Sequence, residues 1–138
     1  TLLGNAGDDV LSGGLGNDSL LGGAGADLFV FDTVPNSSSN RDLLPDFSVV
    51  DDTLRFDRSA FPGLGSLPEG SLPAASLRVG NFTTAGDADD RFVYNTSSGV
   101  LYYDADGSGG SASPIQVALI GTSSARPVLT HLDFEVFG

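Results

Sequence analysis

The sequence predicts an all-β protein in which a parallel β-roll is followed by a β-rich C-terminal cap. One observation is a nonapeptide period in residues 4–30, where each copy has a glycine-rich turn followed by a short apolar run. A second is a series of short apolar runs after residue 76, several alternating at period two and each bounded by turn-forming residues. We expect residues 1–34 to form the roll and residues 35–138 to form the cap.

The composition excludes several classes of function. The chain of 138 residues carries 18 acidic residues against 6 basic ones, for a net charge of -12. All basic residues are arginines, which excludes a lysine Schiff base and a P-loop lysine and argues against a nucleic-acid partner. Without cysteine and with one histidine, the chain has no thiol nucleophile, no disulfide and no multi-histidine zinc site. Carboxylate and backbone oxygens remain as ligands.

The chain shows no N-terminal signal peptide and no membrane segment. Its apolar runs are far shorter than the roughly 20 residues needed to span a bilayer, so we expect no membrane span. No charged and apolar leader resembling a signal peptide is present at the start. We therefore expect Thr1 to be either a cut within a longer protein or the end of a processed one.

Three complete nonapeptides occupy residues 4–12, 13–21 and 22–30, and residues 1–3 fit the end of another. We call their first six residues turn 1, turn 2 and turn 3. Position six is always Asp and position four always Gly, while position eight is a large apolar residue: Asp9, Asp18, Asp27; Gly7, Gly16, Gly25; Leu11, Leu20, Phe29. A flexible Gly/Asp-rich linker is the alternative, but a linker has no reason to place Leu or Phe at every ninth residue.

The residue types in these turns indicate a cation site. Glycines at fixed offsets permit positive φ, so that backbone carbonyls converge, and each Asp adds an anionic oxygen. Strand alternation directs position eight inward. Because each copy forms half a coil, turns two copies apart stack on one side. Flexible ligand sets made only of oxygen favour Ca²⁺ over Zn²⁺ or Mg²⁺.

The nonapeptides resemble the GGxGxDxUx repeats of the RTX family of secreted calcium-binding proteins. In that family the turn carbonyls and the Asp at position six bind the ion. The resemblance implies one shared site between turns 1 and 3, and a half site in turn 2 that is completed upstream of Thr1 or downstream. The implied ligands are Asn5, Gly7, Asp9, Gly22, Ala24 and Asp27 in the shared site and Gly14, Gly16 and Asp18 in the half site. Asn5 replaces the usual glycine, and Asn adopts the left-handed region more readily than most residues.

Residues 42–47 and 52–56 resemble the D-x-I-x-D-F and D-x-I-x-L pair that follows the repeats in serralysin-type and related RTX proteins. There the paired acids help to close the last turns with a further calcium. The resemblance implies that Asp42 and Asp52 are candidate ligands, and Asp46 a weaker one. The alternative is an exposed Asp at a strand edge.

The remainder of the chain is predicted to consist of short strands around a simple apolar core, with a short helical turn near Ala74. The strand candidates are 77–79, 91–94, 100–103, 115–119 and 132–136. We expect seven side chains to be buried: Phe92, Tyr94, Val117, Leu119, Leu132, Phe134 and Val136.

Asp104 and Asp106 alternate before Gly107, as at the start of an EF-hand loop. The distal Glu of such a loop is absent, because position 115 is Ile. The two aspartates remain candidate calcium ligands. A turn stabilised by Asx hydrogen bonds is the alternative.

The resemblance implies an extracellular calcium-binding module that folds on Ca²⁺ after type I secretion and stabilises its parent protein. Residues 132–138 resemble the C-terminal type I secretion signal of such proteins. We expect no enzymatic activity, since His131 is the only histidine and no HExxH motif is present. An alternative is a self-assembling subunit of a calcium-dependent fibre, surface layer or biofilm matrix, joined head to tail through the open end of the roll.

Overall fold

The computed structural model describes residues 1–138 and confirms the all-β prediction. Helical geometry is limited to single 3-10 turns at Pro62–Leu64, Ala74–Ser76, Gly107–Gly109 and His131–Asp133. The twelve strands are β1 Leu2–Leu3, β2 Val10–Ser12, β3 Leu20–Leu21, β4 Leu28–Phe31, β5 Asp42–Leu44, β6 Thr53–Asp57, β7 Gly70–Ser71, β8 Leu77–Gly80, β9 Phe92–Asn95, β10 Val100–Tyr103, β11 Ile115–Ile120 and β12 Phe134–Phe137. No helix in the structure has the length and hydrophobicity to cross a lipid bilayer.

The strands form two mixed five-stranded sheets and one two-stranded sheet. The first five-stranded sheet has the order β2-β4-β6-β12-β7, and the second has the order β5-β11-β10-β9-β8. In the first sheet β2, β4, β6 and β12 are all parallel, and β7 pairs antiparallel with β12. The two-stranded sheet is the parallel pair of β1 and β3. Parallel pairing therefore dominates the first five-stranded sheet.

Strands of nonapeptides two copies apart lie side by side. Leu11 in β2 is opposite Phe29 in β4, and Leu2 in β1 is opposite Leu20 in β3. Leu11, Leu20 and Phe29, the three residues at position eight, are buried, as the strand alternation predicts. The same parallel arrangement continues past the repeats, because β4 pairs with β6 and Ser19 forms a bridge to Leu43.

Two distal strands pair with the two strands that follow the repeats. β11 pairs in parallel with β5, and β12 pairs in parallel with β6. The segment between β11 and β12 is held to the end of β5 by a hydrogen bond from the Gly121 N–H to the Leu44 carbonyl at 2.9 Å. The C-terminal part of the chain thus lies directly beside strands that follow the nonapeptides.

One hydrophobic cluster of 22 buried residues runs through the molecule. Phe56 on β6 lies near its middle, with ring centroids 4.8 Å from Phe31, 4.5 Å from Phe92 and 5.9 Å from Phe134. Phe31 comes from residues 1–34 and the other three from residues 35–138, so both predicted units contribute to this core. Their division into a roll and a cap stays a prediction.

The predicted strand at 132–136 begins later than expected. Residues 131–133 form a 3-10 turn, in which the N–H of Thr130 donates to the Asp133 carboxylate at 2.7 Å. The prediction that Leu132 is buried is wrong, because this turn leaves its side chain 68% exposed. Leu119 is only half-buried, whereas its neighbours Ala118 and Ile120 are fully buried.

Candidate calcium site

Turn 1 and turn 3 are joined by hydrogen bonds between residues that the sequence predicts as ligands. The Ala24 N–H donates to the Asn5 carbonyl at 2.9 Å, and the Gly7 N–H donates to the Ala24 carbonyl at 2.8 Å. The Asp9 N–H donates to Oδ1 of Asp27 at 2.9 Å. These bonds bring together the two halves of the predicted shared site. The carbonyl oxygens keep a second lone pair for a cation.

The second carboxylate oxygens of Asp9 and Asp27 have no hydrogen-bond partner. Both Oδ2 atoms are buried, and Asp27 as a whole is fully buried. Burying an ionised oxygen without a partner is costly unless a cation or a proton compensates it. The two orphaned oxygens therefore fit a bound cation, with Asp9 and Asp27 as the anionic ligands.

Two glycines leave space for the oxygen atoms of the candidate site. A Cβ atom on Gly4 would lie 2.5 Å from the Gly22 carbonyl oxygen and 2.7 Å from Oδ2 of Asp9. A Cβ atom on Gly22 would overlap the Asp27 carboxylate. Asn5 has a φ of 78°, as its tolerance of the left-handed region predicts. The turn sequence is thus required by the close packing of oxygen atoms.

The bond between Asp9 and Asp27 recurs twice further along the chain. The Asp18 N–H donates to Oδ1 of Asp42 at 3.0 Å, and the Asp27 N–H donates to Oδ1 of Asp52 at 3.0 Å. The Asp42 carboxylate therefore binds the backbone of Asp18 in the same way as the Asp27 carboxylate binds the backbone of Asp9. The Asp52 carboxylate does the same for the backbone of Asp27. Both are 6% exposed, so neither is an exposed Asp at a strand edge.

Turn 2 meets the segment that contains Asp42. Oδ2 of Asp42 and Oδ2 of Asp18 lie 3.0 and 3.2 Å from the position of a Cβ on Gly13. The sequence predicts that the other half of this site lies either upstream of Thr1 or downstream. In the structure, the downstream segment lies beside turn 2. The Gly14 carbonyl, a predicted ligand, accepts a hydrogen bond from the Thr33 hydroxyl at 3.0 Å.

Sequence reasoning missed two residues that hold turn 2. Oδ1 of Asn40 accepts the N–H of Gly16, another predicted ligand, at 3.2 Å. The amide nitrogen of Asn40 donates to Oγ1 of Thr33 at 3.0 Å. Residues 36–40 consist of Ser and Asn, a composition typical of a loop, and no local signal distinguishes Asn40 from its polar neighbours.

Burial raises the pKa of two carboxylates beyond the repeats. Desolvation raises the pKa of Asp42 from 3.8 to about 6, although the N–H of Asp18 opposes this shift by stabilising the ionised form. Burial also raises the pKa of Asp52, against the N–H groups of Ser48 and Asp27. A cation beside either group would favour its ionised form, so protons and calcium compete there.

The carboxylates are distributed in pairs. No three Asp, Glu, His or Cys side chains in the structure converge as a metal-binding group. Each pair of stacked turns offers two carboxylates, and backbone carbonyls have to supply the other oxygens. Ca²⁺ accepts six to eight oxygen ligands with irregular geometry, including backbone carbonyls.

Asp104 and Asp106 lie together in the loop after β10. The Asp106 N–H donates to Oδ1 of Asp104 at 3.3 Å, and Oδ2 of Asp106 accepts the N–H of Ser111 at 2.8 Å. Burial raises the pKa of Asp104. Oδ1 of Asp106 is buried without a partner. The Asx hydrogen bonds suit a stabilised turn, and a role of the two aspartates as metal ligands stays a prediction.

The turn geometry agrees with a comparison against known protein families. Residues 1–29 match the family model described as RTX calcium-binding nonapeptide repeat (4 copies). A comparison with curated proteins found no match. Residues 1–29 thus consist of RTX calcium-binding nonapeptide repeats, and such repeats imply calcium binding.

Proposed function

We propose that the chain is an extracellular calcium-binding module, in which residues 1–34 form a parallel β-roll capped by residues 35–138. The observation that carries this proposal is the pair of buried, unpartnered Oδ2 atoms of Asp9 and Asp27. Turns 1 and 3 hold the principal ion. Asp42 and Asp52 supply the downstream carboxylates of the equivalent turn pairs.

Calcium binding and folding are coupled in this proposal. A chain with a net charge of -12 that brings carboxylates together in pairs is destabilised by their repulsion, and bound cations remove that repulsion. Since a ligand that binds only the folded state stabilises it, the free energy of calcium binding contributes to folding. Extracellular calcium modules have dissociation constants of about 10⁻⁴ to 10⁻³ M, so the module stays unfolded at cytosolic calcium levels.

This coupling suits a protein that is exported before it folds. RTX repeats are typical of bacterial proteins that leave the cell by type I secretion, which supports an extracellular location. Outside the cell the folded module stabilises the protein of which it is part. No catalytic role is assigned to the module. His131 Nδ1 lies 2.8 Å from the Leu72 carbonyl, a contact that gives it a structural role.

Calorimetric titration of the whole chain tests the proposal. We expect wild type to bind Ca²⁺ in the millimolar range or tighter and to bind Mg²⁺ far more weakly. Asp9→Asn and Asp27→Asn each remove one anionic ligand with little change of shape, and we expect each to lower the calcium affinity by roughly tenfold or more. Asp32→Asn removes an exposed charge outside the turns and serves as control. Absence of calcium binding by wild type would contradict the proposal.

A second candidate function is self-association into a calcium-dependent assembly. β1 and β2 are edge strands, each paired on one side only, and Leu3 and Val10 on them are 61% and 69% exposed. Unpaired strand edges with apolar side chains are sites for pairing with another chain. A head-to-tail contact at this edge would propagate into a fibre or layer unless it closed.

Sedimentation and negative-stain microscopy in calcium and in chelator test this second candidate. We expect calcium-dependent oligomers, because the edge strands are ordered only when turns 1 and 3 are. The double variant Leu3→Asp/Val10→Asp places charges on the edge outside the calcium ligands and should abolish them. Monomers alone at millimolar calcium would contradict self-association and leave calcium binding unaffected.

A further inference from the structure

The carboxylate of Asp46 binds two successive backbone amides of turn 3. Its Oδ1 accepts the N–H of Gly22 at 3.2 Å, and its Oδ2 accepts the N–H of Gly23 at 3.0 Å. Two successive N–H groups of this kind form an anion-binding concavity. Both carboxylate oxygens are engaged there.

The equivalent N–H group of turn 1 has a backbone carbonyl as its acceptor instead of a carboxylate. In turn 1 the N–H of Gly4 donates to the backbone carbonyl of Leu21 at 2.8 Å. The connection from β3 to β4 has six residues, 22–27, whereas the connection from β5 to β6 has eight, 45–52. This longer connection departs from the repeat pattern. In turn 3 the Asp46 side chain therefore accepts the Gly22 N–H, where a backbone carbonyl accepts the equivalent Gly4 N–H of turn 1.

The geometry of the Gly22–Gly23 peptide links Asp46 to the cation site. A trans peptide is planar, and its C=O and N–H point in opposite directions. Asp46 holds the Gly23 N–H, so the Gly22 carbonyl of the same peptide points away from Asp46. That carbonyl oxygen lies beside Oδ2 of Asp9, since both are within 2.7 Å of the position of a Cβ on Gly4.

We propose that Asp46 is a positioning residue that aims the Gly22 carbonyl at the cation between turns 1 and 3, and that it is not itself a ligand. A carboxylate on the N–H end of a peptide also polarises its carbonyl, which makes the oxygen a stronger ligand. The inference rests on the proposed calcium function and assigns the control of one of its ligands to a residue outside the repeats.

The test uses the whole chain with Ca²⁺ and with Eu³⁺ as a luminescent substitute. Calorimetry gives the calcium affinity, and the Eu³⁺ lifetimes in H₂O and D₂O give the number of water molecules on the bound ions. Loss of a ligand adds water to the ion, whereas a carbonyl that is held less firmly but still binds the ion lowers the affinity without adding water. Asp46→Asn keeps one acceptor oxygen and Asp46→Ala keeps none.

We expect the calcium affinity to fall by about threefold in Asp46→Asn and about tenfold in Asp46→Ala, with the hydration of saturated Eu³⁺ as in wild type. Asp27→Asn should add water to the ion, and Asp32→Asn should change neither quantity. Circular dichroism at saturating calcium shows whether each variant folds. If Asp46→Ala stays unfolded there, Asp46→Asn decides the outcome.

Three outcomes overturn this inference. Wild-type affinity in Asp46→Ala would show that the Gly22 carbonyl needs no positioning. Additional water on Eu³⁺ in Asp46→Asn would show that an oxygen has left the ion, which contradicts a role of Asp46 in positioning alone. Failure of wild type to bind Ca²⁺ would contradict both the proposed function and this inference. The titration of wild type alone distinguishes this outcome from the other two.

Discussion

The backbone N–H of Asp9 donates to Oδ1 of Asp27 across 2.9 Å, between residues 18 positions apart in the sequence. The two oxygens of the Asp27 carboxylate therefore have different roles. Oδ1 fixes turn 1 against turn 3, while Oδ2 is buried and free of hydrogen bonds. In the proposed calcium site, this one side chain both joins the two turns and supplies negative charge, so we expect the formation of the site and the binding of its ion to depend on the same residue.

Gly4→Ala tests the requirement for space in the site. The added Cβ would lie 2.5 Å from the Gly22 carbonyl oxygen and 2.7 Å from Oδ2 of Asp9, so the two oxygens have to move apart. We expect the calcium affinity to fall by roughly tenfold or more in a calorimetric titration. Gly65→Ala is the control, because Gly65 has a φ of -61° and lies away from the turns. Equal affinities in the two variants would contradict the arrangement of oxygens.

The raised pKa of Asp42 predicts two opposite effects of pH. Without metal, Asp42 takes up a proton near pH 6 in the folded state and near pH 3.8 in the unfolded state, so the largely unfolded metal-free chain shifts toward the folded state as the pH falls through this window. Calcium requires the ionised carboxylate, and its affinity should decrease as the pH falls from 7 to 5.

Calorimetric titrations at several pH values, with Asp42→Asn for comparison, check this prediction. The variant cannot titrate at this position, so its calcium affinity should be lower at pH 7 and less dependent on pH. A pH dependence identical to that of wild type would mean that Asp42 does not control proton competition at the site.

Phe56→Ala tests whether the repeats and the C-terminal strands are stabilised by a common core. Phe56 is fully buried between Phe31, Phe92 and Phe134. We expect a loss of about 3–5 kcal/mol in the free energy of unfolding, measured with urea at saturating calcium. Phe82→Ala, at a side chain that is 39% exposed, should cost less than about 1 kcal/mol. Two separate unfolding transitions, only one of which shifts, would contradict a common core.

The local features of the repeats could be predicted from the sequence. The period of nine identifies the buried apolar position and the turn aspartates, because turn and strand geometry act over a few residues. The resemblance of residues 42–47 and 52–56 to post-repeat segments predicts Asp42 and Asp52 as candidate ligands. Their hydrogen bonds to Asp18 and Asp27 match the bond between Asp27 and Asp9.

Non-local features could not be predicted in this way. The parallel pairing of β11 with β5 joins residues 76 positions apart, that of β12 with β6 joins residues 80 positions apart, and no short-range pattern encodes either. The roles of Thr33 and Asn40 depend on how one loop folds over turn 2. The apolar character of Leu132 fits either a strand or a turn, and the hydrogen bonds between Thr130 and Asp133 favour the 3-10 turn.

The most direct test of calcium-coupled folding is far-UV circular dichroism of the whole chain, titrated with Ca²⁺ from a starting point in chelator. We predict little β signal in chelator, a cooperative gain at roughly millimolar calcium, and loss of that gain in Asp27→Ala. A β spectrum that is complete in chelator and unchanged by calcium would contradict the account, because the fold would then form without the ion.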